Sequence, residues 1–328
     1  MRRAPLVPVA LLLIIVLIAT KSLWYQSTPY IKPHPSNLQL RLLERVHHGP
    51  LEPRYAGMVE AMALGWRGNL EPEIKTAFLN SGIMHLLCVS GLHVGLVAAL
   101  TGALLFWVSR ERRGRLIRGA VQLVVLWGFA LLTGGAPSTL RAALMFSLFI
   151  VSDLLGFRTE RLNLLAAVAI VMLSVKPSLL FHVGWQLSFA AVGGILLVRP
   201  LLDNFRHNIL IQSAIVSTAA TLATLPIIVS VFHHLPVYFL VANLLIVPWA
   251  SIILAGSLLY VAIPCSLTAA LVRPPLWITD RVTQWIASLP YATVEGIDLE
   301  PWALLLLTVA VILLLTAPRL IPLGNQKQ

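Results

Sequence analysis

"HLLCVSGLHVGLVAALTGALLFWV", residues 85–108, sets two histidines, a serine and a cysteine at the mouth of a long apolar run. The run exceeds the ~20 residues a helix needs to cross a bilayer. Polar groups facing hydrocarbon are costly, so His85, Ser90 and His93 require either neighbouring helices to bond or a wet interior to face.

The rest of the chain decides the fold class in favour of lipid. Its 328 residues are 58% hydrophobic and only 11% charged, with mean hydropathy +0.85; soluble domains carry about 25% charged residues. Lipid offers the backbone no water partners, so spanning segments must be helices or a closed barrel. Strand-like alternation is absent from the runs, which are rich in Leu and Ala. The reading is an all-α polytopic integral membrane protein, a bundle of about 8–10 transmembrane helices with broken or re-entrant segments and amphipathic interfacial helices. The formal charge of +11 suggests nucleic acid, but basic residues gathered in short loops are what the positive-inside rule requires. Two cysteines, Cys88 and Cys265, far apart in sequence, argue against a disulfide framework.

Four regions are expected. Residues 1–25 read as an N-terminal transmembrane anchor, with a cleaved signal peptide as the alternative. Residues 26–82 form a short extracytoplasmic segment, with amphipathic helices on the membrane surface broken near "HHGPLEP". Residues 83–317 hold the channel-like bundle, and 318–328 a polar tail. Spans are expected near 83–108, 115–134, 138–156, 162–176, 179–198, 209–231, 236–263 and 299–317. The arginine-rich "SRERRGRLIR" should be cytoplasmic. "CSLTAALVRPPLWITDRVTQWIASLP" is too polar and interrupted for a clear span and reads as an interfacial or re-entrant helix pair.

Ser90 and His93 share a helix face, and Gly91 and Gly95 form a small-xxx-small pair that admits a close neighbour. Hydrogen bonding to adjacent helices explains His85, Ser90 and His93 as readily as function does. A metal site at His85, Cys88 and His93 is weaker, lacking a nearby carboxylate and the usual ligand spacing. In "GGAPSTLRAALM", residues 134–145, Ser138 suits an N-cap and Arg141 falls one turn inside the next helix. Arg141 either snorkels or lines a water-filled path for anions. His182 and Gln186 share a face, Ser213, Ser217, Thr221 and Thr224 form a polar stripe, and Pro226 should kink or loosen its helix, with a broken segment after it. Together these point toward a central aqueous cavity.

The sequence resembles the membrane "competence" domain of ComEC-type DNA-uptake proteins over about residues 56–250. "ALGWRGNLEPEIKTAFLNSGIMHLLCVSGLHVG", "GGAPSTLRA", "TERLNLLAAVAIVMLSVKPSLLFHVGWQLSFAAVGG", "TLATLPIIVSVFHHLP" and "VANLLIVP" follow in the family's order. The resemblance implies passage of single-stranded DNA across the bacterial inner membrane during natural transformation. It implies a multi-pass protein, with His85, Ser90, His93, Arg141, Gln186 and Asn243 lining or supporting the path. Fuller members add an OB-like domain and a metallo-β-lactamase-like nuclease. Residues 26–82 look too short for a complete OB barrel, and no H-x-H-x-D-H cluster occurs. No nucleotide-binding G-x-x-x-x-G-K-[ST] occurs either. The expectation is therefore a shortened or split member, or a truncated reading frame: a passive conduit without cofactor, nuclease or ATPase. A separate DNA receptor, cytoplasmic ATPase motor and nuclease would be its partners. The alternatives are a small-molecule or ion transporter, and an intramembrane serine hydrolase using Ser90.

Overall fold

The computed structural model describes residues 35–109, 111–156, 160–175, 177–205 and 208–320; the expected anchor at 1–25 and most of the polar tail lie outside them. Within these bounds the chain is helical apart from two three-residue strands, and it divides into two compact units. One comprises residues 29–159 and 236–293, the other 160–235 and the C-terminal stretch from 294.

The first unit begins with α1 (Asn37–His47), α2 (Pro53–Leu64) and α3 (Pro72–Asn80). Ser36 caps α1 by accepting from the Gln39 N–H at 3.1 Å, and Arg45 and His47 sit favourably at its C-terminal end. Gly65, left-handed at φ 71°, ends α2, while the Gln39 side chain donates to the Leu64 carbonyl at 2.7 Å. The break between α1 and α2 falls at the expected "HHGPLEP". Here α2 departs from the sequence reading: Tyr55 through Leu64 are all buried, so it is a core helix rather than one lying on a surface. Its small residues explain the fit, since Gly57 meets the Asn69 carbonyl so closely that a Cβ would sit 2.6 Å away.

After a 3-10 turn at Met84–Leu86 come α4 (Gly91–Leu104), α5 (Arg112–Leu132) and α6 (Pro137–Leu154), each packed on the other two. Gly119 leaves room for Leu154 against α5. The opposite face of α5 is apolar and exposed, with Val124 72% and Leu131 67% accessible, the pattern of a helix that meets lipid. The unit closes with α11 (Phe239–Ala262) and α12 (Ser266–Ala287). The interfacial helix pair expected over this last stretch is instead one continuous helix running through Pro274 and Pro275.

The second unit contains α7 (Arg161–Val175), a 3-10 turn at Pro177–Phe181, α8 (Val183–Leu197), the short α9 (Arg199–Asn204), α10 (Ile209–Phe232) and α13 (Pro301–Leu320). At the α8–α10 contact, a Cβ on Gly194 would lie 2.6 Å from the Ala223 Cβ and 2.8 Å from the Ala219 carbonyl oxygen. The broken segment expected after Pro226 is instead helical, because α10 continues through that proline to Phe232. Thr224 donates its hydroxyl to the Ala220 and Thr221 carbonyls just before that proline. Strands β1 (His234–Pro236) and β2 (Thr293–Glu295) pair with each other.

Among the described residues, four helices are long and apolar enough to cross a membrane: 112–132, 137–154, 210–232 and 239–262. Shorter apolar helices accompany them. This is a membrane protein of the all-α polytopic class.

Candidate functional site

The loop before α4 is fixed by a glycine. Gly82 adopts φ 80° against α11, and a Cβ there would come within 2.7 Å of the Phe239 Cβ and 2.9 Å of Pro236. That turn carries His85, which is exposed.

Ser90 is the N-cap of α4 and His93 its N3 residue, forming a capping box in which histidine takes the place usually held by Glu or Gln. The Ser90 N–H donates to His93 Nδ1 at 3.4 Å, and Ser90 Oγ lies 3.2 Å from the same nitrogen. The shared face read from the three-residue spacing is therefore, in the first instance, a helix start. His93 itself is buried, 1% exposed.

A second helix begins beside the first. The Ser138 hydroxyl donates to the Val89 carbonyl at 2.7 Å, stitching the first turn of α6 to the link before α4. A Cβ on Gly91 would lie 3.9 Å from Ala142, and one on Gly95 3.0 Å from Phe146. Matching contacts four residues apart on each helix mean that α4 and α6 run in the same direction, with their N-terminal ends together. Gly134 and Gly135, both left-handed, make the turn that delivers α6 there. Arg141, next to Ala142 in sequence, is 4% exposed. Two helix N-termini and a guanidinium thus collect at one end of the α4–α6 pair, an arrangement that favours negative charge.

The other two sequence-predicted residues have different surroundings. Asn243, on α11, is 5% exposed, and its Oδ1 has no hydrogen-bond partner among the described residues. Gln186 belongs to the second unit, where its amide donates to the Leu180 carbonyl at 2.9 Å and ties α8 to the preceding 3-10 turn. Cys88 accepts from Arg67 Nη1 at 3.2 Å. No group of three His, Cys, Asp or Glu able to hold a metal ion occurs among the described residues.

Sequence reasoning passed over the buried charges of the first unit. Arg54 Nε and Nη2 donate to both oxygens of Asp280 at 2.8 and 2.9 Å, and Nη1 bonds Glu71. Gln284 adds a bond to Asp280 at 3.0 Å. Glu60 is fully buried; Oε2 accepts from Asn69 at 2.8 Å and Oε1 has no partner among the described residues. Burial pushes its carboxyl pKa up, against the opposing effects of Asn69 and His47. Isolated charges within apolar stretches were the available signal, but their pairing across the chain was not readable.

The chain is similar to ComE operon protein 3 of Bacillus subtilis (strain 168), 33% identical over 86% of this chain and 38% of that protein. It is also similar to competence protein ComA of Neisseria gonorrhoeae, 28% identical over 76% of this chain and 40% of that protein. An uncharacterized protein, YcaI, of Escherichia coli (strain K12) is 25% identical over 76% of this chain and 36% of its own length. The chain thus spans less than half the length of these relatives. No solved structure matches. The family model described as "Competence protein" matches residues 62–320, and on that match, which takes in most of the sequence, the chain belongs to the competence-protein family (ComEC/Rec2).

Proposed function

We propose that this chain is the membrane conduit through which single-stranded DNA enters the cytoplasm across the bacterial inner membrane, acting without nuclease or motor activity of its own. Two of its relatives are named ComE operon protein 3 and competence protein ComA. The observation that carries the reading is the pairing of the α4 and α6 N-termini beside the buried Arg141, with the exposed His85 on the loop that leads to them.

A single strand bears one charge per nucleotide and travels with its water and counterions, so a path for it must be wet and electropositive. The helix N-termini and Arg141 supply positive potential without the sequence preference that base-reading contacts would impose. His85 and Ser90 supply polar lining, and Asn243 supports it. A separate receptor delivers the strand, and a separate nuclease and ATPase remove its complement and pull.

The test is Arg141→Glu in a transformable host that depends on this gene. Internalised, DNase-resistant DNA should fall to background while the protein stays in the membrane, and Arg141→Lys should retain part of the uptake. Normal uptake by Arg141→Glu overturns the reading. One observation favours a second reading: Ser90 Oγ and His93 Nδ1, 3.2 Å apart, stand as a nucleophile and base would. Covalent labelling of Ser90 by a serine-reactive phosphonate, lost in Ser90→Ala, would establish hydrolase chemistry instead.

A further inference from the structure

We propose that α12 crosses the bilayer beside α11, presenting an apolar face to lipid acyl chains and a polar face to the protein. Its composition hides this. Arg273, Asp280 and Arg281 lie within it, and it falls outside the helices that qualify as spans on length and hydropathy.

Three residues, Ile263, Pro264 and Cys265, join α11 to α12, so the two form a tight hairpin. Near that turn Gly256 faces Val272, where a Cβ would lie 3.2 Å from the valine Cγ2. At the far end the Val237 N–H donates to the Ala292 carbonyl at 2.9 Å. The Tyr238 hydroxyl donates to the Pro290 carbonyl at 3.0 Å. The residues just before α11 therefore touch those just after α12, and the second helix retraces the first from end to end. The 24 residues of α11 reach about 36 Å and the 22 of α12 about 33 Å. Each exceeds the ~30 Å of hydrocarbon. If α11 spans, α12 spans with it.

Polarity is distributed around α12 in the sense that lipid favours. Thr268, Thr279, Asp280 and Thr283 are buried beside Ala269, Val272, Leu276 and Ile286, while the exposed face carries Leu267, Leu271, Trp277, Ile278 and Trp285 with Arg273 and Arg281. Water would select the reverse arrangement; lipid selects this one, with polar groups turned inward and paired. The inward groups are satisfied: Asp280 by Arg54 and Gln284, Thr279 by the Pro275 carbonyl and Thr283 by the Thr279 carbonyl. The outward arginines lie away from the helix centre. Arg273, paired with Glu52, sits about 10 Å from the helix start and Arg281 about 9 Å from its end. From there long side chains reach the headgroups at opposite surfaces.

The experiment is thiol accessibility across the hairpin. With Cys88→Ala and Cys265→Ser as background, a single cysteine is placed at Ser266 or at Tyr291, which is 84% exposed. A membrane-impermeant maleimide is then applied to spheroplasts before and after permeabilisation. One position should label in intact spheroplasts and the other only after permeabilisation. Labelling of both from the same side places α12 in the membrane plane and overturns the proposal. Should Tyr291→Cys fail to accumulate, Ser288→Cys reports the same side of the helix. Either outcome is independent of DNA uptake.

Discussion

Arg54 holds Asp280 with two parallel hydrogen bonds, 2.8 and 2.9 Å long, across 226 residues of chain. The pair fastens the N-terminal end of α2 to α12, and Glu71 and Gln284 complete it. Removing the arginine leaves Asp280, 3% exposed, charged and nearly dry. Arg54→Met should therefore cost on the order of 3 kcal/mol. The double variant Arg54→Met, Asp280→Leu should recover most of that loss, because a well-filled apolar pair replaces an ion pair at little cost. Thermal unfolding of the four proteins of this cycle in detergent measures both quantities.

Glu60 should make stability fall as pH rises. Burial favours its protonated form, so the folded protein holds this proton at pH values where the unfolded chain has already released it. Unfolding free energy then decreases from the ordinary carboxyl range up to the raised folded pKa and levels off above it. Glu60→Gln keeps an acceptor for Asn69 without a titrating group. Its melting temperature relative to wild type should increase between pH 4 and pH 8; a constant difference would mean that Glu60 is charged in the folded state.

Substitutions at His93 separate capping from conduction. Glutamine at N3 can close the same capping box with Ser90, so His93→Gln should fold and insert as wild type does. His93→Ala loses the reciprocal bond and should lower stability by about 1 kcal/mol. If DNA uptake follows melting temperature in both variants, histidine serves α4 alone. Failure of uptake in a stable His93→Gln would assign the imidazole to the path.

Gly194→Ala should loosen the second unit. Its new Cβ would meet both the Ala223 side chain and the Ala219 backbone, and backbone cannot swing aside as a side chain does. Overpacking of this kind costs roughly 1–3 kcal/mol. Melting of the variant in detergent measures the loss, and Ala223→Gly in the same chain should restore part of it by removing one of the two clashes.

The long helices were legible because lipid imposes its demand segment by segment. Apolar runs at 115–134, 138–156, 209–231 and 236–263 became α5, α6, α10 and α11 with small shifts at their ends. What stayed hidden depended on partners distant in sequence. Over residues 266–287, two adjacent prolines and three charges mask a continuous helix, and only Arg54 shows how Asp280 is accommodated inside. Burial of α2 was similarly unreadable, since "AGMVEAMAL" acquires its neighbours from α11 and α12. Ser90 and His93 were picked out by their spacing, yet the same spacing serves a helix cap, and only the 3.4 Å bond to the Ser90 N–H shows that use. Gln186, matched through the family, bonds the Leu180 carbonyl within its own unit.

The brevity of α4 has an electrical consequence. Its 14 residues, Gly91–Leu104, extend about 21 Å, well short of the ~30 Å insulating layer. Where a helix this short is the divider, the membrane voltage drops over a thinner slab and the local field steepens. Each elementary charge moved through the full drop exchanges about 2.3 kcal/mol per 100 mV. On the proposed path most of that exchange would occur along α4 itself, so an anion held at Ser90 would still sense nearly the potential of the side to which the N-termini of α4 and α6 open.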